Sequence, residues 1–204
     1  MSKINKNESK STFNTFITIG ANNHVDVERE KDDFYATPPL AVKELMKLES
    51  FNKNIWEPCC GMNHITNILI DKGYNVRTSD IIDRVNDGNV EIIDFLNTTE
   101  NWDGDIITNP PYKLATEFVY KAIETVKEGN KVAMFLKLSF LETKKRRLLF
   151  DKYPPKIIYV ASSRFGCSQT GEFDETGNIG SAIAYCWYIW ERGYTGDTTV
   201  KWFN

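Results

Sequence analysis

The sequence lacks the features that would place it among membrane, secreted or metal-binding proteins. No apolar run approaches the roughly 18 residues that a membrane-spanning helix needs, and residues 1–10 are too polar for a signal peptide. Its four cysteines show no metal-ligand spacing, and the adjacent Cys59 and Cys60 are poorly placed to form a disulfide with each other. We therefore expect a cytoplasmic protein with reduced thiols, no membrane association and no metal.

The chain also lacks internal repeats and an excess of basic residues. Its net charge of −3 argues against a protein that coats DNA uniformly, although it allows a local basic patch. A hydrophobic content of 41% is typical of a globular protein, and 204 residues are enough for one domain with a core. Residues 1–31 are rich in Asn, Ser, Thr and charge, so we expect a mobile arm there and a folded domain over residues 32–204.

The most informative stretch is Asp105–Tyr112, where an apolar run of β-branched residues ends in Asn, two prolines and an aromatic ring. The run predicts a buried strand. Each proline lacks an N–H and keeps the preceding residue extended, so Asn109 is expected at the carboxyl end of the strand with carbonyl oxygens nearby. With the ring of Tyr112, this predicts hydrogen-bond acceptors beside a stacking platform, at the edge where open α/β sheets bind ligands.

Three earlier strands are each expected to end in an acidic residue, namely Glu57, Asp80 and Asp94. The first is followed by a small-residue loop through Gly61 and then a helix, which fits either the first βα crossing of a nucleotide-binding fold or an ordinary βα turn. Asp80 follows Gly61 at about the twenty-residue spacing at which a carboxylate meets ribose hydroxyls. Three carboxylates along one sheet edge indicate a polar and cationic ligand.

The loop at Gly61 differs from the common phosphate-binding loops. Asn63 stands where a second glycine is usual, and since Asn tolerates a left-handed backbone, we expect the turn to survive. No P-loop lysine follows, which argues against nucleoside triphosphates.

The segment before the first strand joins Tyr35, Thr37 and Pro38 to a helical apolar stripe over residues 40–46. Thr37 is expected to be the N-cap and Pro38 the first helical residue. One interpretation is a capped helix that packs on the sheet. The other is that Tyr35, Thr37 and the helix N-terminus hold a ligand carboxylate.

The second half of the chain predicts a helix over residues 114–127 with Leu114 on its apolar face, and strands at 131–138, 157–161 and 183–190. The basic run Lys144, Lys145, Arg146 and Arg147 lies in a further predicted helix, as either a solvated face or a set of phosphate contacts. The long polar loop Ser162–Ser181, with Arg164, Phe165 and Phe173, is either functional or disordered.

Taken in order, these segments resemble a known family. Asn109–Tyr112 matches the [Asn/Asp/Ser]-Pro-Pro-aromatic signature of DNA methyltransferases that act on exocyclic amines. Asp33–Pro38 is similar to motif X of that family, Glu57–Gly61 to motif I and Asp80 to motif II, while Asp94–Phe95 falls where motif III does. The match runs from about residue 33 to residue 193 and is similar in detail to the compact phage-type adenine-N6 methyltransferases.

The resemblance implies a Rossmann-like, S-adenosylmethionine (SAM)-dependent methyltransferase fold. Its expected form is α/β, with a seven-stranded, mostly parallel sheet, an antiparallel last strand and helices on both faces. The implied activity is transfer of a methyl group from SAM to N6 of adenine in DNA, as in restriction-modification systems of bacteria or phage-infected cells. No separate target-recognition domain fits after Tyr112. Specificity would then come from the Ser162–Ser181 loop, the basic helix or a partner chain, and a homodimer is left open.

The resemblance also implies roles for individual residues. The Asn109 side-chain oxygen and the Pro110 carbonyl would bind the amino hydrogens of a flipped-out adenine on which Tyr112 stacks. The implied catalytic residues are Asn109, Pro110, Pro111 and Tyr112. The implied cofactor-binding residues are Tyr35, Thr37, Pro38, Glu57, Pro58, Cys59, Gly61, Asp80, Ile81, Asp94, Phe95 and Asn109, with Glu57, Asp80 and Asp94 at the methionine, ribose and adenine parts of SAM. The expected DNA-binding residues are Lys144, Lys145, Arg146, Arg147, Arg164 and Phe165.

Two other interpretations share these motifs. Asn-Pro-Pro-Tyr also occurs in enzymes that methylate a protein glutamine amide or an RNA adenine. A non-catalytic relative that binds SAM or DNA in an anti-restriction or regulatory role would tolerate Asn63 in place of the family glycine. The intact tetrad Asn109–Tyr112 argues against the non-catalytic relative. The basic helix and the motif X segment favour DNA over RNA or protein.

Overall fold

The structure is a computed structural model and describes residues 33–204, so the mobile arm predicted at residues 1–31 lies outside it. Its strands are β1 (Asn54–Glu57), β2 (Asn75–Asp80), β3 (Glu91–Ile92), β4 (Asp105–Thr108), β5 (Lys131–Lys137), β6 (Ile157–Ala161), β7 (Tyr185–Glu191) and β8 (Thr199–Phe203). Its α-helices are α1 (Pro39–Leu48), α2 (His64–Asp71), α3 (Ala115–Thr125) and α4 (Lys144–Lys152). Short 3-10 helices occupy Phe95–Asn97, Tyr112–Leu114 and Leu138–Leu141.

The strands of this region form one sheet in the order β3-β2-β1-β4-β5-β7-β6-β8. Strands β1 to β5 pair in parallel, whereas β7 is antiparallel to both of its neighbours, β5 and β6. The carboxyl ends of β1, β2, β4 and β5 therefore meet at one edge, as expected. The predicted mostly parallel α/β sheet is confirmed.

The sequence-based strand count is wrong by one. The eighth strand, β8, pairs in parallel with β6, so the antiparallel strand is the seventh and not the last. Within the described residues, strand β8 pairs with β6 alone, and Trp202 and Val200 remain exposed on it. Because β8 is a partly exposed edge strand, its sequence lacks the continuous apolar run that identifies the buried strands.

Two apolar clusters lie on opposite faces of the sheet, which confirms helices on both faces. Helices α1 and α2 contribute to one cluster and α3 and α4 to the other. Strand β7 serves both, because alternate side chains of a strand point to opposite faces. The buried Trp187 donates its indole N–H to the Ala41 carbonyl (3.0 Å) on one side, and Trp190 donates to the Tyr153 carbonyl (3.0 Å) on the other. The aromatic residues of β7 thus pack on both faces of the sheet, and an indole hydrogen bond holds the strand on each side.

Asp105 ties the start of β4 to the first residue of β5 and to the segment that leads into β1. Its carboxylate accepts from the backbone N–H of Asn52 (2.6 Å) and of Lys131 (2.7 Å). Burial raises the pKa of Asp105, and these two donors oppose that rise. The carboxylate thereby satisfies two backbone donors at a buried strand start and helps to align β4 under the Asn-Pro-Pro-Tyr segment.

Two local predictions are wrong. Helix α1 begins at Pro39, preceded by Pro38, and Thr37 is a buried residue ahead of it and not the N-cap. Proline is favoured in the first turn of a helix, because the N–H that it lacks would have no partner there. The helix therefore begins at Pro39 without a hydroxyl cap. Leu114 does not share the apolar face of α3, because the chain makes a 3-10 turn at Tyr112–Leu114 that leaves it exposed.

Within residues 33–204 no helix has the length and apolar character to cross a membrane. In the same range, no group of His, Cys, Asp and Glu side chains is arranged to hold a metal ion.

Candidate active site

A pocket opens at the carboxyl ends of β1, β2 and β4. Of the residues predicted to form a site, those that line it are Tyr35, Thr37, Glu57, Pro58, Cys59, Gly61, Asp80, Ile81, Asp94, Phe95, Asn109, Pro110, Pro111 and Tyr112. Pro38 does not line it. The topology therefore brings together segments that lie up to about 80 residues apart in the chain, because parallel strands deliver their carboxyl ends to one edge.

Within residues 33–204, the side-chain amide of Asn109 has a hydrogen-bond partner at its nitrogen but none at its oxygen. Its Nδ2 donates to the Tyr35 carbonyl oxygen at 2.8 Å. Its Oδ1 is buried and has no hydrogen-bond partner among the described residues. Rotating the amide by half a turn would place Oδ1 against the Tyr35 carbonyl, and two acceptors would then face each other. The Tyr35 carbonyl therefore fixes the orientation of the amide, with Oδ1 pointing away from it. The site thus holds a buried acceptor to which no group in the described part of the chain donates.

The ring of Tyr112 is held from several sides. It stacks on Tyr35, with centroids 5.5 Å apart and planes at 28°, and the Lys137 ammonium lies 4.6 Å from its centroid. The hydroxyl donates to Cys167 Sγ at 3.3 Å. Burial raises the pKa of Tyr112 well above its usual value, so the side chain stays a neutral phenol. An incoming flat ligand would reach Tyr112 by parting it from Tyr35.

Glu57 lies deepest among the three predicted carboxylates. Its side chain is 1% exposed and accepts from the Thr66 hydroxyl. Burial raises its pKa well above the usual value, with the hydrogen bonds from Thr66 opposing and the charge of Asp80 adding to the rise. A buried carboxylate of this kind is favoured in its ionised form once a cation binds beside it.

The other two carboxylates have structural partners as well. Asp80 accepts from the backbone N–H of Gly61 (2.9 Å) and of Ile82 (3.3 Å), so it fixes the loop at Gly61. Asp94 caps the 3-10 helix that follows it, accepting from the Leu96 N–H (3.1 Å) and from Asn97 Nδ2 (2.7 Å). Because each ionised carboxyl group offers about four acceptor positions, neither is saturated by these bonds.

The loop at Gly61 has the backbone that was expected from its sequence. Gly61 has φ +53°, and Phe34 packs where a Cβ at this position would lie. Asn63 takes the left-handed conformation (φ 62°, ψ 23°), so Asn does sustain the turn in place of glycine. Its Oδ1 is buried without a hydrogen-bond partner in the described part of the chain. The substitution thus preserves the geometry and leaves a buried polar atom unpaired.

The polar loop Ser162–Ser181 packs against the segment that precedes α1 and against the first turn of that helix. Ala36 and Ser168 exchange backbone hydrogen bonds of 2.8 and 3.1 Å, and the Leu40 N–H donates to the Gly177 carbonyl at 3.1 Å. The Gly171 carbonyl lies 2.9 Å from Nε2 of His64 at the start of α2. The loop therefore borders the pocket region from the side of Tyr35, and it supplies Cys167 to the tetrad.

The predicted DNA-binding residues lie outside the pocket. Lys144, Lys145 and Arg147 are exposed on α4, and Arg147 lies 3.5 Å from Asp151. Arg146 has an internal role, since its guanidinium donates to the carbonyls of Ser139 (3.1 Å) and Phe140 (3.3 Å) and lies 4.7 Å from the Phe140 ring centroid. Arg164 is exposed.

The prediction that Phe165 is a nucleic-acid contact is wrong. Phe165 is 1% exposed and packs against Phe135 and Phe203 in the core. The strand β8, which supplies Phe203, was missed in the sequence, so nothing there showed what would cover this ring.

Three residues at the site were missed from the sequence: Phe34 over Gly61, Lys137 beside Tyr112 and Cys167 below it. Lys137 ends a strand adjacent to β4, which was an available signal, since strand ends at this edge were already expected to meet. Cys167 lies within the long loop, and no local pattern in the sequence predicts where such a loop folds back.

No protein-family model matches the sequence, and neither does any curated protein. Solved structures do share the fold. A Pyrococcus horikoshii protein assigned as an RNA methyltransferase superposes with a TM-score of 0.58 at 14% identity, over 86% of this chain and 95% of that chain. A Listeria monocytogenes protein assigned to the class I S-adenosylmethionine-dependent methyltransferases gives 0.57 at 15% identity, over 95% and 72%.

A modification subunit assigned to a type I restriction enzyme of Vibrio vulnificus gives a TM-score of 0.56 at 12% identity, over 81% of this chain and 45% of that chain. The chain thus spans less than half the length of that subunit. At these identities the similarity establishes the fold alone, a Rossmann-like fold that this chain shares with those structures.

Proposed function

We propose that this protein is a SAM-dependent DNA methyltransferase that acts on N6 of adenine. The observation that carries the proposal is the amide of Asn109, whose Oδ1 is buried beside Pro110 at the edge of the pocket and has no donor among residues 33–204. A buried acceptor left unpaired costs about 1–3 kcal/mol. That cost is relieved when a ligand brings an N–H group to this point, as the amino group of a nucleobase does.

The lining of the pocket fits SAM. The molecule carries two cationic centres, an ammonium and a sulfonium, and the pocket places the carboxylates of Glu57 and Asp80 within it. Glu57 is the candidate partner of the ammonium and Asp80 of the ribose hydroxyls, while Ile81 and Phe95 offer apolar contact to the adenine ring. Bound SAM would supply a methyl group already activated by positive sulfur, which leaves as a thioether when the nitrogen lone pair forms the new C–N bond.

The contribution of the chain to this chemistry is positioning and electrostatics. The lone pair of an aromatic amine is delocalised into its ring, and two acceptors placed at the two amino hydrogens draw the nitrogen toward tetrahedral geometry. Asn109 Oδ1 and the Pro110 carbonyl are the two acceptors, with Tyr35 fixing the first of them. The lone pair is then localised and directed, so no perturbed general base is needed. After the bond forms the nitrogen is strongly acidic, and it transfers its proton to water.

The stacked pair Tyr35 and Tyr112 is the proposed clamp for the base. Stacking of a base on an aromatic side chain is worth about 1–3 kcal/mol, and flipping a base out of a duplex costs a few kcal/mol. Two rings that part to hold a base between them would double the contact. The base would then meet Asn109 and Pro110 edge-on, with its face against Tyr112.

A nucleic acid is favoured over a protein amide by the charge on α4. The exposed Lys144 and Lys145 lie on the helix that follows the strand next to the tetrad, and a phosphate backbone is the polyanion that such a helix fits. The loop Ser162–Ser181 carries exposed carboxylates at Glu172, Asp174 and Glu175, which disfavour phosphate contacts along that part of the loop. We therefore assign backbone contact to α4, and we leave base recognition to a partner chain or a second copy.

RNA adenine is the second candidate substrate, because one structural neighbour is assigned as an RNA methyltransferase. The test is label transfer from methyl-tritiated SAM to matched DNA and RNA duplexes, to single strands of each, and to total protein. We expect label in DNA. Transfer confined to RNA or to protein would contradict the DNA assignment while retaining the methyltransferase one, and SAM binding without any transfer would favour a non-catalytic binding protein.

A further inference from the structure

The side chain of Lys137 is a half-buried cation without a counter-ion among the described residues. It ends β5, the strand next to β4, and its ammonium lies 4.6 Å from the centroid of the Tyr112 ring. No carboxylate among residues 33–204 lies within ion-pair distance of it, although nine other ion pairs of this region are formed by Lys and Arg side chains. Of the other half-buried lysines in this range, Lys131 and Lys156 each pair with a glutamate, and Lys121 donates to the Thr98 carbonyl. Lys137, which has no such partner in the described part of the chain, is therefore available to bind an anion beside Tyr112.

The anion does not come from the pocket. Tyr112 lines the pocket and Lys137 does not, so the ring separates the ammonium from the carboxylates that would bind SAM. Lys137 also extends beyond the register in which Thr108 pairs with Met134, so it lies beside the segment that follows Asn109 and not beside Glu57 on β1. Its ligand therefore belongs to a molecule that reaches the tetrad from outside.

We propose that Lys137 binds a phosphate of the nucleotide whose base occupies the pocket. The inference rests on the function proposed above and adds a subsite to it. A nucleotide with its base on Tyr112 carries its phosphates just beyond the edge of that ring, at the distance a lysine reaches. An ammonium also suits a phosphate as a compact point charge with three donors that can rotate to meet it.

The path of the chain links this subsite to the basic helix. Lys137 is followed directly by the 3-10 helix Leu138–Leu141, which Arg146 of α4 binds through two carbonyls. Four residues of 3-10 helix span about 8 Å at about 2 Å each. That length matches two to three phosphates of one strand, which rise about 3.4 Å apiece. Lys137 and the exposed Lys144 and Lys145 can therefore contact one continuous backbone.

A structural role for Lys137 in supporting the Tyr112 ring is the competing explanation, and the chain offers a control for it. Lys201 lies 5.8 Å from the centroid of the Tyr159 ring, also a lysine over a tyrosine, but on β8 at the far edge of the sheet. The test compares Lys137→Gln, Lys137→Arg and Lys201→Gln in DNA affinity, in its salt dependence, and in SAM affinity.

The probe is a duplex in which the phosphates flanking the target adenine are replaced one at a time by neutral methylphosphonates. Each phosphate contact contributes about 0.9 to the slope of log K against log[salt], which corresponds to about eightfold in affinity between 1 M and 0.1 M salt. We expect Lys137→Gln to lose about that much slope and affinity, to become insensitive to one particular methylphosphonate that weakens the wild type, and to keep its SAM affinity. Lys137→Arg should retain most of the binding, and Lys201→Gln should match the wild type.

The outcomes separate the two proposals. If the wild type methylates DNA but Lys137→Gln keeps the wild-type slope, or if the same methylphosphonate still weakens it, the phosphate subsite is wrong and the proposed function stands. A loss of SAM affinity in Lys137→Gln would assign the ammonium to the cofactor carboxylate and would equally overturn the inference. If the wild type neither binds nor methylates DNA, both proposals fail together.

Discussion

Replacing Asn109 by Ala should abolish methyl transfer while leaving the protein about as stable as before. The substitution removes the hydrogen bond to the Tyr35 carbonyl, a net contribution of about 0.5–1.5 kcal/mol. It also removes the buried Oδ1 that has no partner in the described residues, whose desolvation costs about 1–3 kcal/mol. The two effects have opposite signs and similar size. We therefore expect the free energy of unfolding to change by no more than about 1 kcal/mol.

The effect on transfer should be much larger. Removing one preorganised polar group from an active site typically slows turnover by about 100- to 1000-fold, and Asn109 supplies one of two acceptors for the amino group. SAM affinity should change little, since the carboxylates in the pocket are untouched. Asn109→Asp is the matched variant. It keeps an acceptor but loses the donor to Tyr35, so it should transfer better than the Ala variant and be less stable than the wild type.

The assay is single-turnover transfer of labelled methyl to DNA, with SAM affinity measured by calorimetry and unfolding followed by denaturant titration. If the Ala variant turned over within a few-fold of the wild type, Asn109 would not be an amino-group acceptor. If it unfolded several kcal/mol more readily, the unpaired Oδ1 would have a partner after all, and the argument from the buried acceptor would fail.

Three other predictions concern the pocket, its loop and the basic helix. SAM affinity should rise as pH rises through the raised pKa of Glu57, because the ammonium binds the ionised carboxylate, and calorimetry should show that Glu57→Gln flattens this dependence and weakens binding at the upper end. Asn63→Gly should be more stable than Asn63→Ala by about 1 kcal/mol in denaturant titration, because glycine, unlike alanine, takes φ 62° without strain. Changing Lys144 and Lys145 together to Gln should lower the salt slope of DNA binding by about 2, while Lys43→Gln on α1 leaves it unchanged. An unchanged slope in the double variant would mean that the basic run of α4 is a solvated face without phosphate contacts.

The tetrad and its surroundings were predictable because their causes are local. Asn109, Pro110 and Pro111 fix their own backbone, and the apolar run before them specifies a buried strand, so the position of Asn109 at a strand end follows from the residues themselves. The alternation of strands and helices then brings Glu57, Asp80 and Asp94 to the same edge. The left-handed turn at Asn63 was likewise predictable from its residue type.

What could not be predicted depends on distant contacts. Phe165 resembles an exposed stacking residue until β8 supplies Phe203 to cover it. Thr37 is a residue type that is favoured at a helix N-cap. The bridge between Ala36 and Ser168 and the start of α1 at Pro39 place it in the interior instead. The partner of the Asn109 amide is a backbone carbonyl 74 residues away, which no side-chain pattern encodes.

The central claim is that Asn109 and Pro110 hold the amino group of an adenine while it is methylated. The most direct measurement is to incubate the protein with methyl-labelled SAM and unmodified duplex DNA, digest the DNA to nucleosides, and identify the labelled product by chromatography and mass spectrometry. The account predicts label in N6-methyladenine, and a loss of that label with Asn109→Ala. Label in another nucleoside, or no label in DNA although SAM binds, would contradict it.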